Sequence, residues 1–261
     1  MAANWESILA QAAAAVEEAA NYIRSQYGRV DLHQADVKAA KSFVSYVDQE
    51  AERLLVQRLQ VILPESGFIT EEETVPNLEK QYTWVIDPLD GTTNFLYRIP
   101  FVAVSVALRR EGITQLGVVA DVLNGHVYEA LKGSGAKKNG HAICVSERTL
   151  LSQAVIATGF PYEYTQDTES QIEALKRLVR ATNGIRRFGS AALDLCMLAE
   201  GVFDGYYEYA LNEWDTAAGM LILREAGGVC SDRGGDRLYE AGREIVASNG
   251  LIHDEFLSFL A

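Results

Sequence analysis

The sequence is poor in everything that cross-links a chain or holds it in a membrane. Its three cysteines, Cys144, Cys196 and Cys230, are odd in number and far apart, with no CxxC pair. That spacing argues against a zinc ribbon, a thioredoxin-like site or a disulfide framework, and leaves reduced, buried thiols as the expectation. Apolar runs are short, as at Phe101 to Val104, far below the ~18 residues a bilayer-crossing helix needs. The opening stretch MAANWESILAQAAAAVEEAANYIRS is partly apolar, but Glu6, Glu17 and Glu18 interrupt it and no basic segment leads it. It does not read as a signal peptide, and a cytoplasmic protein is expected. Basic side chains are in deficit too: 23 Lys and Arg against 36 Asp and Glu give a net charge of −13. Such a field repels polyanions, so nucleic acid gripped by basic side chains is excluded.

Several catalytic signatures are also missing. The four histidines, His33, His126, His141 and His253, show no HxxxH or HExxH spacing, which disfavours a zinc hydrolase and suggests surface positions. There is no GxSxG elbow, since Gly189-Ser190 only opens a predicted helix. Gly133-Ser134-Gly135 lacks a following helix, and no Walker A sequence occurs, so dinucleotide and P-loop sites are rejected.

What remains is an ordinary globular composition, 48% hydrophobic and 23% charged over 261 residues. That length suggests one large domain or two small, closely packed ones, with roughly three quarters of the unfolded surface buried on folding. One unit over 1–261 is expected, with halves at about 1–145 and 146–261. Trp5, Ile8, Leu9, Ala12, Val16, Ala19 and Ile23 recur at helical spacing and predict a helix ending near Gly28. A second is predicted from Asp48 to Leu63, stopped by Pro64. From Phe68 to Lys138 the period falls to two or to short apolar runs: YTWVID, FVAVSVALRR, ITQLGVVADVL and GHVYEAL, the last two joined by an Asn124-Gly125 hairpin. GSGAKKNG (133–140) reads as turns between strands. Beyond it, AVIATGF, VFDGYYEY and EIVASN predict strands. Helices are predicted over Glu169 to Ala181, Ser190 to Glu200, Asp215 to Ala226 and from Leu251. The order predicts an α/β (α+β) layering of helix, sheet, helix, sheet, helix.

Acidic residues gather at four element boundaries. Glu71-Glu72-Glu73 follows SGFIT, where a solvated turn is the plain expectation. Asp87-Pro88-Leu89-Asp90-Gly91-Thr92 follows the buried strand YTWVI, and two carboxylates so close there repel unless a cation sits between them. Asp215, in NEWDTAAG, and Asp48, after the strand-like FVSYV, stand at helix starts and read singly as N-caps. Together they offer the clustered oxygens, without nitrogen or sulfur, that a hard divalent cation such as Mg²⁺ requires.

WVIDPLDGTTNF, with ITEEE upstream and NEWDTAAGMLILREAGG downstream, closely resembles the two signatures of the inositol monophosphatase family, Mg²⁺-dependent phosphomonoesterases. FVSYVD, IPFVAVSVAL, GVVADVLNGHVYEA and RRFGSAALDL extend the resemblance over nearly the whole chain. It implies an αβαβα sandwich, a homodimer, Li⁺ sensitivity, two or three Mg²⁺ per site and a small phosphorylated polyol as substrate, foremost myo-inositol 1-phosphate. By matching motif, Glu71, Asp87, the Leu89 carbonyl, Asp90 and Asp215 are the implied metal ligands, with Glu72 just behind. Asp48 and Thr92 are the implied water-activating pair, with Glu71 also catalytic. Leu89, Asp90, Gly91, Thr92, Gly189, Ser190, Ala191, Glu208 and Asp215 are the implied substrate contacts. Thr70 stands where Gly often precedes the glutamates, Tyr97 and Asn212 where many members have histidine, and Phe160-Pro161 replaces a polar segment. These departures bear on substrate range. Sugar, histidinol or NADP phosphatase activity, or an added regulatory role at the transcription machinery, are the alternatives the resemblance carries.

Overall fold

The structure is a computed structural model and describes residues 4–30, 36–39, 42–161, 164, 166–237, 240 and 243–260. His33 lies outside the described residues. The chain opens with α1 (Trp5–Gln26), whose Asn4 cap accepts from the Ser7 N–H, then β1 (Asp36–Ala39) and β2 (Ser42–Val44), an antiparallel pair. Next come α2 (Tyr46–Ile62), β3 (Gly67–Thr70), β4 (Tyr82–Asp90), α3 (Thr92–Tyr97), β5 (Ala103–Arg110), β6 (Ile113–Asp121), β7 (His126–Leu131), β8 (Ala136–Lys138) and β9 (His141–Ala142). The second half runs β10 (Val155–Thr158), α4 (Gln166–Ala181), β11 (Gly184–Arg186), α5 (Ala191–Ala199), β12 (Gly205–Tyr209), α6 (Glu213–Glu225), β13 (Val229–Ser231), β14 (Glu244–Ser248) and α7 (His253–Ser258).

Two sheets result. Seven strands follow in chain order from β3 to β9, antiparallel except for the parallel β3–β4 pair, and five run β11-β10-β12-β14-β13. Strand alternation sorts the apolar side chains by face. Trp84, Ile86, Val104, Val106, Leu116 and Val118 meet α1 and α2 on one face of the large sheet, whereas Val85, Ala103, Ala107 and Val119 meet α5 and α6 on the other. The same middle layer takes Ala157, Tyr206, Ile245 and Ala247 from the small sheet, whose opposite face carries Ile156, Tyr207 and Val246 to α4 and α7. This is the expected five-layer αβαβα arrangement. Close approach of α6 depends on Gly117, where a Cβ would lie 2.8 Å from the Ala218 carbonyl oxygen.

Several local expectations are corrected. Helix α2 begins at Tyr46, so FVSYV is not a strand through Val47. Neither Asp48 nor Asp215 is an N-cap: Ser45 and Asn212 are, and each aspartate is the third helical residue of a capping box. The β6–β7 connection spans Val122 to Gly125, closed by Gly125 N–H to Asp121 O, and is longer than a two-residue turn. Ala136–Lys138 within GSGAKKNG is itself a strand. Cys144 is exposed, unlike Cys196 and Cys230. His253 is buried between the Ser231 and Ser248 hydroxyls. Among the described residues no helix is long and apolar enough to cross a membrane.

Candidate active site

The site forms where β4 ends. Its strand is buried through Leu89, and its pairing with β5 slips between Asp87 and Asp90, freeing that segment from the ladder. Asp87 Oδ1 accepts the Leu89 N–H at 3.0 Å. Gly91 then turns with φ 95° to start α3; a Cβ here would lie 2.9 Å from the Phe101 carbonyl oxygen, so the turn requires glycine. The Thr92 hydroxyl lies 2.9 Å from Asp48 Oδ1 and 3.2 Å from the Leu89 carbonyl oxygen. Asp48 is buried, and its other oxygen accepts from the Ser45 N–H (2.9 Å) and O–H (2.6 Å).

The second half is tied in by two polar bridges. Asp90 Oδ2 accepts from the Ser190 hydroxyl at 2.7 Å and the Ala192 N–H at 2.8 Å. Asn94 Nδ2 donates to the carbonyls of Phe101 and Phe188, both at 2.8 Å. Asp215 Oδ2 accepts the Asn212 N–H at 2.6 Å. On β12, Glu208 Oε2 accepts the Tyr206 hydroxyl at 2.6 Å, and the Glu208 carboxylate fills the space a Gly159 Cβ would need.

These groups surround a cavity of about 180 Å³ lined by Glu71, Asp87, Leu89, Asp90, Gly91, Thr92, Gly189, Ser190, Ala191, Glu208 and Asp215, with Phe160, Pro161, Arg187 and Asn212 among its other walls. Nearly every residue singled out from the sequence is therefore brought to one place. Asp48 stands behind Thr92. Glu72 is not in the wall; its N–H donates to Glu52 Oε2 at 2.8 Å. Tyr97 is exposed, away from the wall. A larger, open groove of about 810 Å³ lies along α1 and α2, but its Glu18–Arg58 and Glu50–Arg53 pairs balance each other's charge and no acid cluster faces it.

The cavity's acids are not at ease with one another. Burial pushes Asp87 well up from the usual carboxylate range, and the charges of Glu71, Asp90 and Asp215 push it further. Burial, then Glu71 and Asp90, raise Asp215 likewise. Asp90 is raised to about 6, mainly by burial, against the pull of Ser190, Ala192 and Arg187. Glu208 is raised to about 7 by burial. Burial also raises Asp48, opposed by its bonds from Ser45 and Thr92. Mutual repulsion of this kind is relieved by a shared proton or a cation. Among the described residues no three Asp, Glu, His or Cys side chains close on one point as a preassembled cage; the acids ring the cavity, and its donors are all oxygen. That donor set fits a hard divalent cation.

A model of the inositol monophosphatase family matches residues 4–260. The chain belongs to the inositol monophosphatase family. Among its relatives, a Nus factor SuhB from Pasteurella multocida is 38% identical over 245 residues, covering 94% of this chain and 92% of that protein. An inositol-1-monophosphatase from Rhizobium meliloti is 40% identical over 237 residues, covering 90% and 89%. Among solved structures, the extragenic suppressor protein suhB from Bartonella henselae superposes with a TM-score of 0.92 at 36% identity, covering 97% and 98%. Family membership supports a phosphatase.

Some residues of the site escaped sequence reasoning. Glu52 is fully buried on α2, one turn after Asp48, and its carboxylate accepts from Glu72 N–H, Thr74 N–H and Thr74 O–H at 2.7–2.8 Å. It fixes the loop that carries Glu71; its i+4 spacing from Asp48 was the available signal. Replacing Glu52 by Gln puts an amide N–H₂ where an acceptor is needed. The expected cost is about 1–3 kcal/mol in denaturant unfolding, with faster amide exchange at Glu72 and Thr74. Unchanged exchange there would show that the loop is held by other contacts.

Proposed function

We propose that the protein is a Mg²⁺-dependent phosphomonoesterase acting on a small phosphorylated polyol, with myo-inositol 1-phosphate as its substrate. The observation that carries this reading is the ring of mutually repelling, oxygen-only donors around one cavity with the Asp48–Thr92 pair at its edge. Glu71, Asp87, the Leu89 carbonyl, Asp90 and Asp215 are the residues that would hold two or three Mg²⁺. When bound, Mg²⁺ supplies positive charge against the phosphate dianion and the alkoxide that develops as it leaves. Thr92 donates its hydroxyl proton to Asp48, which leaves the Thr92 oxygen facing outward to accept from and orient the attacking water. Gly91 lets the backbone come close to the phosphate. Gly189, Ser190, Ala191 and Glu208 face the alcohol, Glu208 accepting from a substrate hydroxyl, with Asp215 sharing that contact. Glu71 helps orient the water, and Glu72 stays behind it.

Phosphate release from myo-inositol 1-phosphate is expected to require Mg²⁺, to stop in EDTA and to fall with Li⁺. Undiminished release in chelator would remove the metal from the reaction. The homodimer implied by the family is part of the proposal.

A second reading, partnership with the transcription machinery, is favoured by one observation: relatives at 38–40% identity are named Nus factors. The charge of −13 directs that reading to a protein partner and away from direct nucleic-acid binding. Co-purification of the chain with transcription proteins, undiminished when Thr92 is replaced by Ala, would support it.

A further inference from the structure

The cavity wall holds one feature that hydrolysis of a neutral polyol phosphate does not use. Arg187 is the one cationic side chain among its described lining residues. Its guanidinium is folded back over Gly189, where Nη1 takes the space a Cβ would occupy; Gly189 itself sits at φ 89°. The following residues are pinned from both sides, Phe188 and Gly189 by Asn94 and Ser190 by Asp90, so the loop presents Arg187 to the cavity in a defined position.

The nearby acids do not claim it. Arg187 acts electrostatically on Asp90, Glu208 and Asp194, yet no ion pair or hydrogen bond to its guanidinium is formed among the described residues. Asp90 Oδ2 is taken by the Ser190 O–H and the Ala192 N–H, and Glu208 Oε2 by the Tyr206 O–H. A planar fork of donors is thus held open at the cavity, and such a fork matches the paired oxygens of a carboxylate or phosphate. If Glu71, Asp87, Asp90 and Asp215 are spent on cations, the charged side chains left to meet the alcohol are Glu208 and Arg187. One accepts from a hydroxyl and the other donates to an anionic oxygen.

We infer that Arg187 forms a second anion subsite, which extends the substrates beyond myo-inositol 1-phosphate to phosphomonoesters whose alcohol part carries another anionic group. The inference rests on the phosphomonoesterase reading and adds a class of ester to its substrates. A carboxylate and a second phosphate share the chemistry that Arg187 would recognise.

The test compares two matched pairs in Mg²⁺: glycerol 3-phosphate with 3-phosphoglycerate, and fructose 1-phosphate with fructose 1,6-bisphosphate. For each pair the ratio of kcat/KM, doubly anionic over singly anionic ester, is measured in the wild-type protein and in Arg187→Met. Arg187 is exposed at the cavity mouth, so the variant is expected to fold. The ratio should fall about ten- to hundredfold in Arg187→Met for at least one pair, the loss expected for a charge-assisted hydrogen bond; which pair responds identifies the second group. Ratios unchanged in both pairs would overturn the subsite, including the case in which Arg187 binds the scissile phosphate and all four esters fall together. Release of no phosphate from any ester by the wild-type protein would instead remove the phosphomonoesterase reading, and the subsite with it.

Discussion

Asp90→Asn is expected to lower kcat/KM for phosphate release by a factor on the order of 10³, while making the metal-free protein more stable at pH 7.5. The two effects have one cause. A structural aspartate contributes stability when ionised, but Asp90 has its carboxyl raised to about 6 by burial, which outweighs the pull of Ser190, Ala192 and Arg187. A group whose folded pKa lies above its unfolded value contributes stability that is fully present below the unfolded value and lost as pH rises through the folded one. Above about 6 the fold therefore holds an unwelcome charge, which the amide removes. The structural bonds survive the change, because a single oxygen, Oδ2, accepts both Ser190 O–H and Ala192 N–H, and the amide oxygen can do the same. In EDTA, denaturant unfolding at pH 7.5 should show the Asp90→Asn variant ahead of the wild type by roughly 1–3 kcal/mol, with the gap narrowing toward pH 4. Saturating Mg²⁺ should reverse the order, since only the wild type offers the full set of charges. A variant that is less stable than the wild type in EDTA at pH 7.5 would mean that Asp90 serves the fold and not a cation.

Alternation and helical spacing made the layers readable, because each face of the two sheets buries a continuous apolar set. The β4 cluster was readable for the complementary reason that two carboxylates close together at the end of a buried strand repel each other even where each also makes a local hydrogen bond. The capping boxes were misread. Ser45 and Asn212 each stand three residues before an aspartate, which is the S/N-x-x-D spacing of a cap and its reciprocal acid. The distinction matters to the site: as third helical residue, Asp48 ties Oδ2 to Ser45 and leaves Oδ1 for Thr92. Asp215 ties Oδ2 to Asn212 N–H while lining the cavity. What sequence could not supply was contact at a distance. The Asp90–Ser190 bond joins residues 100 positions apart, and the seating of Glu208 depends on Gly159 from another strand end. Arg187 stood beside the recognised GSA, but nothing local says that its guanidinium turns back over Gly189.

Thr92→Ala is expected to lower kcat by about 10²–10⁴-fold, the range for loss of a group that positions or relays a proton, with KM changed far less. The hydroxyl donates to Asp48 Oδ1, with the Leu89 carbonyl as a more distant second acceptor, so its proton is committed inward and its oxygen serves to orient the water, not to hold the substrate. Its removal leaves the Ser45–Asp48 capping box intact, and α2 should keep its start; thermal unfolding close to wild type would confirm that the lost rate is not lost fold. Thr92→Ser restores a hydroxyl on the same Cβ and should recover most of kcat, whereas Asp48→Asn, which removes the proton acceptor but keeps an oxygen, should resemble the alanine variant. The pattern separates a chemical role from a packing one: the methyl group that Ser lacks would matter to packing, and the oxygen to the water. An unchanged kcat in Thr92→Ala, or a serine variant as slow as alanine, would take Thr92 and Asp48 out of the reaction and leave the acid ring to orient the water unaided.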